Sequence, residues 1–272
     1  MANKPWQGFN TVDAEDNPEF YAQYLDHLRT LGDTKTYKAE SFLKLNLNPG
    51  DAVLDIGCGI GQDAECLATL LGPTSHVCGV DPSESLLAIA RQRAAQKHVE
   101  IHYQKAPADA LPFPDNTFHA CRADRVFLYL PDMHSALKEM YRVLKPTGVL
   151  YVRDPDMDSY FVDAPGLDLA TTRAVVHYFS DSFNQGNDGR QLRRLLLDTS
   201  LKNVQYEPKT LILTAFKEAD EMFAIKRTVN SVQQNRPEMT EALNRWLETL
   251  ENASIQNRFT FGLTFFACYG IK

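Results

Sequence analysis

Between residues 50 and 154 the chain sets down five short apolar runs in succession, and this order limits the folds open to it more than any other feature. Residues 52–57 (AVLDIG), 76–81 (HVCGVD), 99–104 (VEIHYQ), 118–124 (FHACRAD) and 149–154 (VLYVRD) read as strands. Ala64, Leu67, Ala68 and Leu71 follow the first at helical spacing, and Leu86, Leu87, Ala90 and Ala94 follow the second. Before the fifth comes the best helix of the chain, with Met133, Ala136, Leu137, Met140 and Leu144 on one stripe. Pro131-Asp132 signals its start and Pro146-Thr147-Gly148 its stop. Between the third and fourth runs, Pro112, Pro114 and Asp115-Asn116 rule out regular structure. Strands and helices in this order predict an α/β fold, a mostly parallel sheet with helices on both faces. Such sheets bind ligands beyond the carboxyl ends of their strands, where the strand order reverses.

After Asp154 the pattern loosens. Residues 155–187 read as turn-rich but aromatic, with Tyr160, Phe161, Tyr178, Phe179 and Phe183. A helix is expected over 189–198, a strand over 201–213, and two helices over 215–257 with a break near Pro237. Phe259, Phe261, Leu263 and Phe265 alternate as one face of a last strand. The expected organisation is a core of residues 49–213 and 258–272, interrupted by a lid insertion at 155–187 and a helical insertion at 214–257. Residues 1–48 precede it as a helical lid segment, with Phe20, Tyr21, Tyr24 and Leu25 along one helical face.

The composition narrows the partners. A net charge of −7 disfavours a nucleic-acid partner, which calls for a basic surface. The opening MANKPWQGFN lacks the apolar core of a secretion leader, and no apolar run approaches membrane-spanning length. The cysteines at 58, 66, 78, 121 and 268 form no C-x-x-C pair, so no metal site is expected and a reducing cytoplasm suits them.

The chemistry begins in VLDIGCGIGQD, residues 53–63, where Gly57, Gly59 and Gly61 stand directly behind the first strand. Three flexible residues there imply a sharp backbone turn that something approaches closely. The dinucleotide fingerprint G-x-G-x-x-G would place its third glycine at 62, which is Gln62. Asp55, two residues before the turn, would repel a diphosphate and suits a cationic, amine-bearing ligand. Asp81 ends the second strand 22 residues beyond Gly59, where an acid accepts hydrogen bonds from ribose hydroxyls. An adenosine with a positive tail and no phosphate is S-adenosylmethionine.

Residues 51–154 resemble the class I S-adenosylmethionine-dependent methyltransferases, especially the ubiquinone/menaquinone-biosynthesis C-methyltransferase group. VLDIGCGIG matches the first motif, GVDPSESLLAIARQRA the second, and the stretch from ADALPFPDNTF to LKPTGVLYVRD the remainder. The resemblance implies a Rossmann-like seven-stranded sheet and S-adenosyl-L-methionine as cofactor. By the same token, Asp55, Gly57, Cys58 and Gly59, with Gln62 beside them, would face its methionine part. Asp81 would take the ribose, Pro82 and Ser83 would border the adenine, and Ala108 and Asp109 would flank its edge. Asp124, Arg125 and Val126 would line the methionyl side. Pro107 stands where many relatives carry an acid for the adenine amino group, leaving that contact to Asp109 or a backbone carbonyl. Leu128-Tyr129 replaces their frequent histidine pair.

Simpler roles stay open. Asp81 begins DPSE, a good helix cap, although Ser83 can cap instead. Asp55 can satisfy backbone donors in the turn, and Asp124 can pair with Arg125. Methyl transfer from a sulfonium requires alignment above all. A base is required only if the acceptor loses a proton, and His177, Asp154 and Tyr129 are weak candidates. Tyr21, Tyr24, Tyr160, Tyr178 and Phe183 are candidates for a covered aromatic pocket, which favours a small, partly apolar acceptor methylated at O, N or C. A nicotinamide-dependent oxidoreductase, a macromolecular methyltransferase and a non-catalytic S-adenosylmethionine-binding protein are the alternatives. Monomer and homodimer are both open.

Overall fold

The computed structural model describes residue 9 and residues 11–14, 17–32 and 34–272. Most of the opening MANKPWQGFN, where no secretion leader is expected, lies outside the described residues. Seven strands form one sheet in the order β3-β2-β1-β4-β5-β7-β6. β1 (Ala52–Ile56), β2 (His76–Asp81), β3 (His102–Lys105), β4 (Phe118–Asp124) and β5 (Leu144–Asp163) pair in parallel, and β7 (Thr260–Ile271) runs antiparallel between β5 and β6 (Lys202–Leu213). The order reverses between β1 and β4, so the crevice expected of such a sheet opens at their carboxyl ends.

Period-two alternation distributes the strand residues to two cores. Leu54 and Ile56 of β1 pack with α5 (Met133–Val143) and α7 (Asp188–Leu197) through Leu137, Met140, Leu192 and Leu195. Val53 faces the opposite way, onto Leu67 and Leu71 of α3 (Gln62–Leu71), Leu87 and Ala90 of α4 (Glu84–Gln96), and Phe42 of α2 (Thr34–Lys44). Asp55 lies two residues beyond Val53, and its side chain is therefore buried on that second face, beneath α2 and α3.

A third core differs from the sequence expectation. Residues 155–187 are not chiefly turns: β5 runs on to Asp163, paired with β7 as far as Thr260, and α6 (Leu169–Ser180) follows. The acidic run that reads as loop is buried because its partner is distant, Arg190 donating to Asp156 (Nη2 to Oδ1, 2.8 Å). Residues 215–257 form three longer helices rather than two: α8 (Phe216–Phe223), α9 (Ile225–Asn235) and α10 (Thr240–Ile255). Ala224, at φ 44°, breaks the first pair. Their apolar faces, with α6, enclose Met157 and Tyr160 of β5 and the expected Phe259, Phe261, Leu263 and Phe265 stripe.

The N-terminal segment packs over the crevice. Val12 is buried against Ile60 and Leu86, and Asp13 accepts hydrogen bonds from Ser83 Oγ (2.6 Å), the backbone N–H of Glu84 (2.9 Å) and that of Ser85 (3.1 Å), at the start of α4. α1 (Pro18–Leu28) is tied down by Asp26, which Arg93 grips with both terminal nitrogens (2.7 and 2.6 Å) and Gln62 with its amide (2.6 Å).

Two carboxyls meet in the core with no cation between them. Asp154 of β5 accepts from the N–H of Phe127 (3.2 Å), and Asp188 at the start of α7 abuts it; both are fully buried. Burial pushes both well above the usual carboxylate range, with the charge of Asp154 adding to it at Asp188 and that of Asp124 adding to it at Asp154. A carboxyl raised in the folded state destabilises increasingly as pH rises beyond its unfolded value. Asp188→Asn, whose amide can donate to Asp154, should therefore stabilise the protein by about 1–3 kcal/mol at pH 8 and by less at pH 5. Urea unfolding at the two pH values checks this; equal gains at both would refute the shared-proton account.

Candidate active site

The glycine turn is built as the sequence suggests, with Gly57, Gly59 and Gly61 all at positive φ (65°, 52° and 79°). Gly59 is the least crowded of the three, a Cβ there first meeting Leu25 Cδ1 of α1 at 3.2 Å, against 2.5 Å at Gly57 and 2.2 Å at Gly61. Its N–H donates to Asp81 Oδ2 (2.8 Å), while Asp81 Oδ1 accepts from Ser83 N–H (2.9 Å). Ser83, not Asp81, caps α4, its hydroxyl accepting from Leu86 N–H (3.2 Å). Asp81 is thus freed from the capping role, and burial pushes its carboxyl up to about 6.

Beneath the turn lies a buried ionic cluster that the sequence reading missed. Arg122 of β4 stands opposite Asp55 in the strand register and donates to Asp55 Oδ1 (2.7 Å), Asp63 Oδ2 (2.8 Å) and Asp124 Oδ2 (3.2 Å). Lys38 of α2 pairs with Asp63 and with Asp124 (2.8 Å), Arg29 reaches Asp63 (3.2 Å), and Arg153 of β5 lies 3.5 Å from Asp124. Burial alone would raise Asp63 and Asp124, but Lys38 and the arginines outweigh it and hold both low. Asp55 has fewer cations, so burial prevails and its carboxyl rises. The signal was an arginine amid Ala120, Cys121 and Ala123 of a buried strand; its partners could not be named without the fold.

A single cavity of about 570 Å3 runs over this cluster, within the roughly 300–1,000 Å3 of ligand clefts. It gathers most of the expected cofactor residues: Asp55, Gly57, Cys58, Gly59, Gln62, Asp81, Pro82, Ala108, Asp109, Asp124, Arg125 and Val126. Ser83 is not on its wall, being turned to Leu86 and Asp13. Asp124 does not pair with Arg125 but with Lys38, Arg122 and Arg153. Of the other candidates, Tyr24, Tyr129 and Phe183 line the cavity. Tyr160 is packed inside the third core on Phe179 and Phe261, Tyr178 hydrogen-bonds Asn235, and Tyr21 packs edge-on against Phe9 and Phe20. His177 is exposed on α6 and Asp154 is sealed in the core, so neither reaches the cavity as a base. Wall residues that the sequence reading missed include Arg29, Lys38, Met157, Phe179, Met222 and Phe223.

Strand order, glycine turn and the acid at the end of β2 together define a class I S-adenosylmethionine-dependent methyltransferase. A methyltransferase-domain family matches residues 54–152. Over 221 residues the chain is 32% identical to the ubiquinone/menaquinone biosynthesis C-methyltransferase of Burkholderia mallei, covering 73% of this chain and 91% of that protein. Demethylmenaquinone methyltransferase of Bacillus licheniformis is 31% identical across 65% of this chain and 81% of its own length. An uncharacterized 37.1 kDa protein in transposon TN4556 of Streptomyces fradiae is 32% identical over 84% of this chain, which spans 65% of that protein. In fold the chain is similar to YcgJ of Bacillus subtilis (TM-score 0.60, 21% identity, 86% of this chain and 97% of that one). The chain belongs to the S-adenosylmethionine-dependent methyltransferases.

The wall residues suit that cofactor. Asp81 offers carboxylate oxygens for ribose hydroxyls, and Asp124 keeps a buried Oδ1 without a hydrogen-bond partner, a place for the amino group. Arg29 and Lys38 are cations on the wall, paired with Asp63 and, for Lys38, Asp124, that would face its carboxylate. When bound, the cofactor supplies a methyl group already activated on a sulfonium.

Proposed function

We propose that the chain transfers this methyl group to a small, partly apolar acceptor held in the half of the cavity beyond the end of β4. The observation that carries this reading is the wall there: Leu28, Met157, Phe179, Phe183, Met222 and Phe223 are all buried and apolar, and Tyr24 and Tyr129 add hydroxyls. The N-terminal helices and α8 serve as the lid, tied together where Tyr24 Oη donates to the carbonyl of Met222 (2.7 Å). A covered pocket excludes water and suits a small molecule better than a macromolecule. Burial pushes the phenols of Tyr24 and Tyr129 up, so both are neutral and act as orienting groups. The chain's contribution is alignment of acceptor and methyl. The relatives' names, quinone-biosynthesis C-methyltransferases, support an acceptor with an apolar ring.

Calorimetric titration with S-adenosylmethionine, S-adenosylhomocysteine and NADH tests the cofactor half of this reading. Both adenosyl ligands should bind and NADH should not, and Asp81→Ala should weaken them tenfold or more. NADH binding, or adenosyl binding indifferent to Asp81, would overturn it. Hydrogen bonds from ribose hydroxyls favour ionised Asp81, so affinity should be level above about pH 6 and fall as pH drops through it. Asp81→Asn should remove that component of the pH dependence. For the acceptor, a screen of small apolar compounds should yield methylated product; binding of cofactor with no transfer across the screen would favour a non-catalytic role.

A further inference from the structure

Among the described residues, Arg125 is the one cavity cation that makes no ion pair within the buried cluster. It follows β4 directly with φ of 61°, a left-handed conformation that costs a long side chain about 1–2 kcal/mol. Its own N–H, donated to the carbonyl of Arg153 (2.8 Å), helps hold it there. The side chain lines the cavity, and its Nε is buried with no hydrogen-bond partner. Among the described residues no carboxylate lies within ion-pairing distance of it, whereas Arg29, Lys38, Arg122 and Arg153 each have one. The nearby carboxylate, Asp124, is already shared by Lys38, Arg122 and Arg153.

Besides Asp124, the guanidinium's electrostatic neighbours are the phenol groups of Tyr37, Tyr24 and Tyr129. Tyr24 and Tyr129 belong to the acceptor half: the first bonds Met222, and the second packs on Phe183 with centroids 6.2 Å apart. Their phenols, raised by burial, are neutral and supply no counter-charge. A half-buried cation with no carboxylate in ion-pairing distance among the described residues is favoured by a ligand that provides one. The strained backbone keeps this one in place at the junction between the methionine end of the cavity and its apolar end.

We infer that Arg125 is the acceptor's anchor, and that the acceptor is an organic oxyanion: an apolar body seated among Met157, Phe179, Phe183, Met222 and Phe223, with a carboxylate or an acidic enol or phenol oxygen paired to the guanidinium. Charge-assisted, bidentate pairing fixes orientation as well as affinity, which serves a reaction dependent on alignment. The inference rests on the methyl-transfer reading given above and adds the charge of the acceptor to it.

The test uses the full-length protein saturated with S-adenosylhomocysteine. Benzoate, 2-naphthoate and octanoate are titrated in parallel with their neutral amides and followed by ligand-observed NMR. At least one carboxylate should bind tenfold or more tightly than its amide. Arg125→Asn, a residue that tolerates left-handed backbone, should abolish the difference, and Arg125→Lys should retain part of it. Circular dichroism establishes that both variants fold. S-adenosylhomocysteine affinity is measured in both, so that loss of the anion preference is read apart from any loss of cofactor. If no carboxylate outbinds its amide, the inference fails. If Arg125→Asn instead weakens S-adenosylhomocysteine tenfold but leaves 5′-methylthioadenosine, which lacks the amino acid part, unaffected, Arg125 serves the cofactor carboxylate and the inference fails in that way. Loss of the Asp81-dependent adenosyl binding would instead sink the underlying reading, so the two failures are distinguishable.

Discussion

Arg122→Met should destabilise the protein by about 3–5 kcal/mol, the range for removing one partner from a buried ionic group. Methionine replaces much of the volume but none of the charge, and it leaves Asp55, Asp63 and Asp124 to repel one another under α2 and α3. Lys38 can compensate Asp63 and Asp124, both of which it already touches, but not Asp55, whose one ion pair among the described residues is with Arg122. Asp55→Asn added to Arg122→Met should therefore recover a measurable part of the loss, while Arg122→Lys should recover little, since one ammonium cannot reach three carboxylates held by a planar fork. Urea unfolding of the single and double variants decides it. A loss below 1 kcal/mol for Arg122→Met would mean that water or a shifted Lys38 fills the role.

Gly61→Ala comes next, at about 2–5 kcal/mol. The new Cβ would sit 2.2 Å from Tyr103 Oη, 2.8 Å from its Cζ and 2.9 Å from Ala90 Cβ, on a backbone at φ 79°. Left-handed backbone costs alanine about 1–2 kcal/mol, and overpacking typically adds about 1–3 kcal/mol. Tyr103 cannot swing aside, because its ring also passes Gly79, where a Cβ would meet it at 2.8 Å. Tyr103→Phe in the Gly61→Ala background removes the 2.2 Å contact and should restore part of the stability. If the two substitutions are simply additive, the clash is not what Gly61 avoids. The third glycine of the turn is thus there for Tyr103 of β3 and not for the cofactor.

What the sequence discloses depends on how local the cause is. Strands β1, β2, β4 and the first half of β5 are continuous apolar runs with glycine or proline between them, so both their existence and their order can be read off. The acid at the end of β2 is legible for the same reason: the strand fixes where Asp81 must lie. The second half of β5 is not, because Asp156 looks like loop until Arg190 is brought alongside by a helix more than 30 residues away. The ionic cluster draws on α1, α2, α3, β1, β4 and β5, and only the register of the sheet sets Arg122 opposite Asp55. The aromatic candidates divide along the same line. Tyr24, Tyr129 and Phe183 reach the cavity while Tyr160 turns into the core, a choice made by the side on which each element exposes it.

The contact of Asp13 with the start of α4 bears on the pace of turnover. Every round of methyl transfer leaves a spent cofactor that has to be exchanged, and the segment around Val12 and Asp13 packs on Ile60, Leu86 and Ser83 beside the crevice. Its fastening is mostly electrostatic, with Lys105 (2.9 Å) and the α4 amides holding one exposed carboxylate, and such bonds weaken with ionic strength. Release of the spent cofactor should then quicken as salt rises, whereas single-turnover transfer, aligned within the cavity, should change little.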